Sequence, residues 1–469
     1  MNRPTYKHLC MTLALMLIGI LTSSGCSVMR WTDADENLRT PEHQNRSPEP
    51  SPIVQGQPLT SGAPLSLAEC VSVGLQNNPD LASRSWEASS AEARSFTARA
   101  SLVPRLSAEG GYQRFLDPQR LVPATVNSEP GVFDDDIFNA GLVLKIPLFA
   151  GGRYIGEIQA ADLMREAAAH RLARTQQELT FNISSTYFSI LAQERLLSSL
   201  EFSRKVLDEQ LAQTKLMVET GRAAGVDALK IEVRLAEVRQ SIVRESNILL
   251  VQRRLLLNQM GIDRDPNTLV LAEQELQVEA TPPETPAFAD VLAGREDYLA
   301  ARREMEAQAR RVDSALAGYW PSLDAMGTYG LRADAVGNDE EVGYIGVGVS
   351  IPLLDLSRNV AAVREERATL GLAQSRLRSL ESQIRLEYDS AISDLQSALE
   401  RNASAKQAVS LAQEVLRIER EKYSLGRGAI TDLLQAESAL LQAETNYFRS
   451  ITDCRTATAR VTLLIGDRR

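Results

Sequence analysis

Two stretches of this chain are too long and too uninterrupted to fit inside a compact domain. From Arg153 to Thr220 there is no proline, and the only interior glycine is Gly156. From Ser357 to Leu425 there is again no proline and a single glycine, Gly371. As helices, stretches of this size run about 100 Å at 1.5 Å per residue. The chain must therefore build something elongated. Each stretch ends at a glycine, Gly221 or Gly426, and a second helical pattern follows it. In the first copy Ile231, Leu235, Val238, Ile242, Leu249 and Leu256 mark a heptad-like seam, interrupted by Glu245 and Gln252. In the second copy the seam is Ala436, Leu440, Ala443, Tyr447, Ser450, Cys454, Ala457 and Val461, and the small residues among them would let helices approach closely.

The two hairpins belong to an internal duplication. Asp80 and Pro104 match Asp297 and Pro321 at an offset of 217. Ile146-Pro147-Leu148 matches Ile351-Pro352-Leu353 at 205, as Gly221, Asp227 and Gly261 match Gly426, Asp432 and Gly466. The change of offset puts 12 extra residues in the first copy, between Pro104 and Pro147.

Each copy opens with a helix, near Leu67 to Ala100 and Phe288 to Ala317, closed by Pro104 or Pro321. Alternating segments follow. Ile345, Val347, Val349 and Ile351 share one face of a strand, and Tyr344, Gly346, Gly348 and Ser350 the other. In the first copy Leu142, Leu144 and Ile146 oppose Gly141, Val143 and Lys145. Earlier strands fit Leu106 to Gln113 and Leu323 to Leu331. The alternation suits a membrane β-strand and an ordinary half-buried sheet equally well. Residues 116–136 and 332–341 read as loops, with Asp134-Asp135-Asp136 and Asp339-Glu340-Glu341 either solvated or biasing ion entry. Between the copies, Leu269-Val270-Leu271 reads as a short strand, and Pro282, Pro283 and Pro286 as an irregular crossing.

The amino terminus reads as a targeting segment. Arg3, Lys7 and His8 precede an apolar run from Leu9 to Leu21, which ends at Ser23-Ser24-Gly25-Cys26. This is similar to a bacterial lipoprotein processing site with Cys26 lipidated; the alternative is an ordinary signal peptide cut nearby. No later apolar run is long enough for a transmembrane helix, so a mature chain that crosses a membrane needs β-strands. A net charge of −10 without a dense basic run argues against nucleic acid as partner. Cys70 and Cys454 lie on apolar helix faces and read as buried thiols before a disulfide. The histidines are His8, His43 and His170, and neither a metal-ligand spacing nor a phosphate loop is present, so no enzyme, cofactor or metal site is expected.

The doubled motifs carry a family resemblance. Leu67-Ala68-Glu69 to Asn78-Pro79-Asp80-Leu81 resembles the opening helix of TolC-like outer-membrane efflux proteins. Ile146-Pro147-Leu148-Phe149-Ala150-Gly151-Gly152 resembles their strand-to-helix junction. Tyr423-Ser424-Leu425-Gly426-Arg427 to Asp432-Leu433-Leu434 resembles their helix-turn-helix tip, with Thr220-Gly221-Arg222 to Asp227-Ala228-Leu229 as its first copy. The resemblance spans residues 65–466. It implies a mainly α protomer with a transmembrane β-barrel, three chains closing a twelve-stranded barrel in outer-membrane lipid and a helical tube across the periplasm. It implies a passive conduit that works with a periplasmic adaptor and an inner-membrane pump, in the outer membrane of a Gram-negative-type bacterium. The tip residues Gly221, Arg222, Leu425, Gly426 and Arg427 would turn the hairpins and meet the adaptor. Asp432 matches an acidic constriction, and Asp227 and Tyr423 match a hydrogen-bonded pair that holds the entrance closed. A second acid of the family is replaced here by Gln435, and a basic residue by Gly428. Asp227 and Asp432 also read simply as helix caps.

The expected organisation is a signal peptide at 1–26, a Pro/Ser-rich linker at 27–64, a first repeat at 65–262, an inter-repeat segment at 263–287 and a second repeat at 288–466. The reading from another functional class is a periplasmic coiled-coil lipoprotein that scaffolds without a pore.

Overall fold

The computed structural model describes residues 64–121, 133–272, 286–334, 339–353 and 356–465. The signal segment with Cys26, the Pro/Ser-rich linker up to residue 63, and Pro282 and Pro283 lie outside the described residues. Helices α1 (Leu67–Asn77) and α2 (Pro79–Ala100) lead into strands β1 (Arg105–Arg120) and β2 (Phe133–Phe149). The hairpin of α3 (Arg153–Glu219) and α4 (Gly225–Gln259) follows. The second copy repeats the order with α5 (Phe288–Gly294), α6 (Glu296–Leu316), β3 (Ser322–Asp334), β4 (Asp339–Ser350), α7 (Leu356–Ser424) and α8 (Ile430–Ile465). Helices α3 and α7 have 67 and 69 residues. No helix among the described residues is long and apolar enough to cross a membrane.

The opening helix of each copy is broken in two, where periodicity alone predicts one. In the first copy the break falls at Asn78-Pro79, because proline cannot donate a backbone hydrogen bond but suits a first helical position. The Asn78 carboxamide oxygen caps α2 by accepting from the backbone N–H of Asp80 (2.9 Å) and Leu81 (3.0 Å). Its Nδ2 donates to the Gln259 carbonyl at the end of α4 (2.9 Å), tying the break to the hairpin. The equivalent residue of the second copy, at the 217 offset, is Arg295. Its side chain is 2% exposed. Its Nε and Nη2 both donate to Asp297, at 2.9 and 2.5 Å, and Nη1 donates to Glu387 on α7 at 2.9 Å. A buried guanidinium needs such partners to offset its lost hydration.

The four strands form one antiparallel sheet in the order β1-β2-β3-β4, so β1 and β4 are its edges. The strands are longer than the alternation suggests. Backbone pairing continues through Arg114↔Asp136 and Leu331↔Glu341, so Asp134-Asp135-Asp136 and Asp339-Glu340-Glu341 lie in strands and not in loops. Those residues look polar because they pass the end of the apolar band, not because the ladder stops. Residues directly opposite share a face. Leu106, Leu142, Leu144, Ile146, Leu323, Ile345, Val347 and Val349 therefore cover one side. Tyr112, Phe138 and Tyr329 sit toward its far end, with the Tyr112 and Phe138 rings 4.9 Å apart. Ser107, Glu109, Asn139, Lys145, Thr328, Tyr344, Gly346 and Gly348 occupy the other side. From Leu323 to Leu331 the apolar band is roughly 20–25 Å tall at the usual strand rise and tilt, which fits the hydrocarbon layer.

Helix α3 is the hub, packing on α1, α2, α4, α6 and α8. Tyr187 at its centre is fully buried, and its hydroxyl donates to the carbonyls of Leu65 (3.2 Å) and Ala272 (2.9 Å). Ile183, Leu256, Met260 and Cys70 fill the same core. The expected strand at Leu269–Leu271 is instead a 3-10 turn (Pro266–Thr268) followed by one isolated bridge, Leu65↔Leu271; a segment spanned by a single pairing cannot propagate a ladder. The α4 seam is buried at Ile231, Leu235, Val238, Leu249 and Leu256. Glu245 interrupts it because it is held in place: Gln193 Nε2 on α3 donates to its carboxylate at 2.9 Å. Cys70 and Cys454 are both buried free thiols, and burial pushes the Cys70 thiol up to about 12.

Arg295→Ala leaves Asp297 and Glu387 without their cation and should lower unfolding stability by about 3–5 kcal/mol, measured by denaturant titration in detergent. Burial opposes ionisation of Asp297, but the hydrogen bonds and charge of Arg295 outweigh it and hold its carboxyl below the usual carboxylate range. A depressed folded-state pKa stabilises above the unfolded value. The penalty of the variant should therefore be full at neutral pH and shrink as pH falls below about 4. On the sheet, Val347→Arg places a cation on the apolar face and should cost about 2–4 kcal/mol of barrel stability. Thr328→Arg, on the opposite face, should cost less than about 1 kcal/mol in the same refolding assay if that face meets water.

Candidate functional site

Two regions position polar groups where the rest of the protomer is regular: the hairpin tips and the polar face of the sheet. Both tips turn in the same way. Helix α3 ends with Gly221 N–H donating to the Val218 carbonyl (3.0 Å) and Arg222 N–H to that of Met217 (2.7 Å). Helix α7 ends with Gly426 N–H donating to Tyr423 (3.0 Å) and Arg427 N–H to Lys422 (2.9 Å). This paired pattern is the Schellman ending, which places the glycine in the left-handed region. Gly221 has φ 72° and Gly426 φ 68°. A Cβ at either position would meet nothing within 4 Å, so backbone conformation and not crowding demands glycine.

Beyond each turn a short loop enters the return helix. Asp227 lies in the first turn of α4 and Asp432 in the first turn of α8, both placed well against the helix dipole. Asp227 does not cap α4 with its side chain; the cap position is Ala224 and its backbone carbonyl accepts from Asp227 N–H (3.0 Å). The Asp227 carboxylate lies 3.9 Å from Lys230 Nζ. Asp432 and Gln435 are exposed, one turn apart on α8, and Leu425 at the outermost turn is 70% exposed.

Tyr423 sits half-buried against the apolar cluster of Leu207, Ile231, Ile430 and Leu433 that joins α3, α4 and α8. Its hydroxyl is 3.5 Å from Thr214 Oγ1 on α3, and Thr214 is buried. The expected Asp227–Tyr423 hydrogen bond is therefore not formed within this protomer. Thr214 takes that place because Tyr423 packs inward on the helix seam, while Asp227 is drawn toward Lys230 on its own helix.

Sequence reasoning passed over one tip residue. Glu437, just beyond Gln435 on α8, is buried; its Oε1 lies 3.9 Å from Arg420 Nη2 and its Oε2 has no hydrogen-bond partner. Burial pushes its carboxyl above the usual range, against the pull of Arg420 and Arg234. The first-copy equivalents at the 205 offset, Lys215 and Glu232, form a well-exposed ion pair at 2.8 Å. The repeat offset would have located the pair; only the packing of the second tip makes it a buried one.

At the far end of the sheet, Tyr112 donates to Asp136 (2.5 Å), Tyr329 donates to Glu341 (2.8 Å), and Arg114 lies 3.4 Å from Asp135. The Asp134, Asp135 and Asp136 carboxylates cluster within 4.8 Å, but a tyrosine and an arginine already engage two of them. The polar face itself is sparsely furnished. Opposite one another lie Gly141 and Gly330, whose backbones approach so closely that a Cβ on Gly330 would fall 2.4 Å from the Ala140 carbonyl oxygen. Gly111, Gly346 and Gly348 share that face and leave it open.

The comparisons with known proteins agree with this geometry. The model of a family described as outer membrane efflux protein matches residues 71–261 and 288–467. Outer membrane protein TolC of Vibrio cholerae is 21% identical over 390 residues, covering 81% of this chain and 86% of that protein. The alkaline protease secretion protein AprF of Pseudomonas aeruginosa is 24% identical over 420 residues, covering 86% of this chain and 84% of that protein. Among solved structures, the outer membrane protein VceC of Vibrio cholerae superposes with a TM-score of 0.71 at 18% identity, covering 85% of this chain and 96% of VceC. The open state of the MtrE outer membrane channel of Neisseria gonorrhoeae gives 0.73 at 17% identity, covering 85% and 89%. With both repeats matched in order, the chain belongs to the outer membrane efflux protein family.

Proposed function

We propose that three copies of this chain close into a passive conduit that carries solutes across the periplasm and the outer membrane, fed by a periplasmic adaptor and an inner-membrane pump. The observation that carries this reading is a four-stranded sheet with an apolar face and two unpaired edges, mounted on helical hairpins about 100 Å long. Lipid penalises unpaired backbone groups severely, and closure with other copies satisfies every edge. Apolar side chains left exposed along the hairpins support the same assembly: Val226, Val233 and Val243 on α4, and Leu386, Leu411 and Val415 on α7. The conduit has no catalytic step of its own, and its driving energy comes from the inner-membrane partner.

In this reading the tips are the entrance. Asp432 rings the constriction with Gln435 one turn inside it, Tyr423 and Asp227 stabilise the closed arrangement, and Gly221, Arg222, Leu425, Gly426 and Arg427 form the surface that meets the adaptor. The latch runs from Tyr423 to Thr214 within a protomer, while Asp227, 3.9 Å from Lys230, acts across the entrance.

Imaging of detergent-extracted protein, with its mass from light scattering, should give a hollow trimeric tube capped by a barrel. A monomer, or a rod without a lumen, would favour the scaffold reading. In single-channel recordings Asp432→Ala should weaken block by multivalent cations about tenfold, since three carboxylates in a narrow aqueous ring concentrate cations. Unchanged block would remove Asp432 from the constriction. Tyr423→Phe should raise open probability or leak about tenfold, because the long 3.5 Å contact with Thr214 is worth roughly 0.5 kcal/mol in each of the three copies. Identical gating would exclude Tyr423 as a latch.

A further inference from the structure

We propose that Arg105 and Lys145 form a basic girdle inside the helix-proximal neck of the barrel and make it selective for organic anions bearing carboxylate or phosphate groups; this rests on the trimeric conduit above. Arg105 opens β1, just after the helices, and Lys145 lies near the end of β2 where the chain returns to them. The register sets the two directly opposite one another, on the same polar face as Ser107, Thr328 and Tyr344. Like charges facing across a ladder repel. No carboxylate relieves them along the row, which continues from Lys145 to Met326 and from Met326 to Gly346.

Both side chains are exposed, and among the described residues neither forms a hydrogen bond or ion pair within the protomer. Neither of the nearest acids on this face forms an ion pair with them: Glu109 lies two rows away and accepts from Ser107 Oγ at 3.2 Å, and Asp324 lies one row below, opposite Pro147. At the other end of the sheet the same chain neutralises its cation, with Arg114 beside Asp135 and Asp136 at 3.4 and 3.9 Å. The neck cations thus have no ion-pair partner within the protomer, and the glycines beside them leave the passage open. Two such cations from each of three protomers would surround a water-filled passage, where low-dielectric walls focus their field and raise the local concentration of anions.

The test uses the full-length protein in planar bilayers under a salt gradient, with inositol hexakisphosphate added on the barrel side so that the probe does not cross the tips. The Arg105→Gln/Lys145→Gln variant should lower the chloride-to-potassium permeability ratio at least about threefold and weaken block by the polyanion at least about tenfold. Combining Arg105→Gln with Lys145→Glu, which leaves one net negative charge on the pair in each protomer, should shift the ratio further toward potassium. Unitary conductances close to those of the unmodified protein would certify that the variants still close a barrel. If the unmodified protein conducts and the variants match it in selectivity and block, the girdle is overturned while the conduit stands. If the unmodified protein forms no pore, both readings fail.

Discussion

A sheet with one apolar face and two open edges cannot remain as it is in lipid. Every backbone N–H and C=O in the hydrocarbon layer needs a partner, and β1 and β4 each present a row without one inside the protomer. The remaining features of the chain follow from meeting that need. Curving into a barrel calls for tight backbone approach, and the facing pair Gly141 and Gly330 supplies it in the middle of the sheet. Outward residues must be apolar along the band and amphipathic at its border, where Tyr112 and Tyr329 place their hydroxyls on Asp136 and Glu341. The inward face is released from packing, so small and charged residues can occupy it.

The helical half obeys a different constraint. Hairpins of this length cannot draw on a globular core and are held by seams one residue wide. Helix α3 escapes this by taking neighbours all round, with α1, α2, α4, α6 and α8 against it and Tyr187 anchoring the inter-repeat segment. Helix α7 packs mainly on α6 and α8, and its remaining surface keeps exposed leucines. Duplicated sequences have therefore settled into unequal surroundings, and the same positions carry different chemistry. At the helix break, Asn78 caps a helix with its amide, while the buried Arg295 binds two carboxylates, Asp297 and Glu387. Near the tips, Lys215 and Glu232 form an exposed pair, while Arg420 and Glu437 hold a stretched and buried one.

That inequality reaches the hairpin tips. The inward packing of Tyr423 and the buried, half-satisfied carboxylate of Glu437 both belong to the second copy, beside the exposed Asp432. The two tips share the glycine turn and the backbone bond that opens the return helix, and differ in that the first carries an exposed ion pair where the second buries a carboxyl oxygen without a hydrogen-bond partner.

Much of this was legible in residues taken one after another. The missing prolines between Arg153 and Thr220 forced long helices, the constant offset paired the two halves, and the alternation from Tyr344 to Ile351 gave the faces of β4. The tip glycines were legible because a Schellman ending has a local signature. Apolar periodicity did not show the helix breaks: Pro79 marks the first locally, but the second, at Arg295, has no proline, and periodicity could not end the strands either, since polar residues pair as readily as apolar ones. The partners of Arg295, Glu245, Glu437 and Tyr423 come from helices distant in the chain, and Thr214 rather than Asp227 reaches Tyr423. The sequence by itself determined which elements form, because helix and strand periods, prolines and glycines act over a few residues. Only the tertiary structure decided which polar groups meet, because burial and distance depend on how those elements pack.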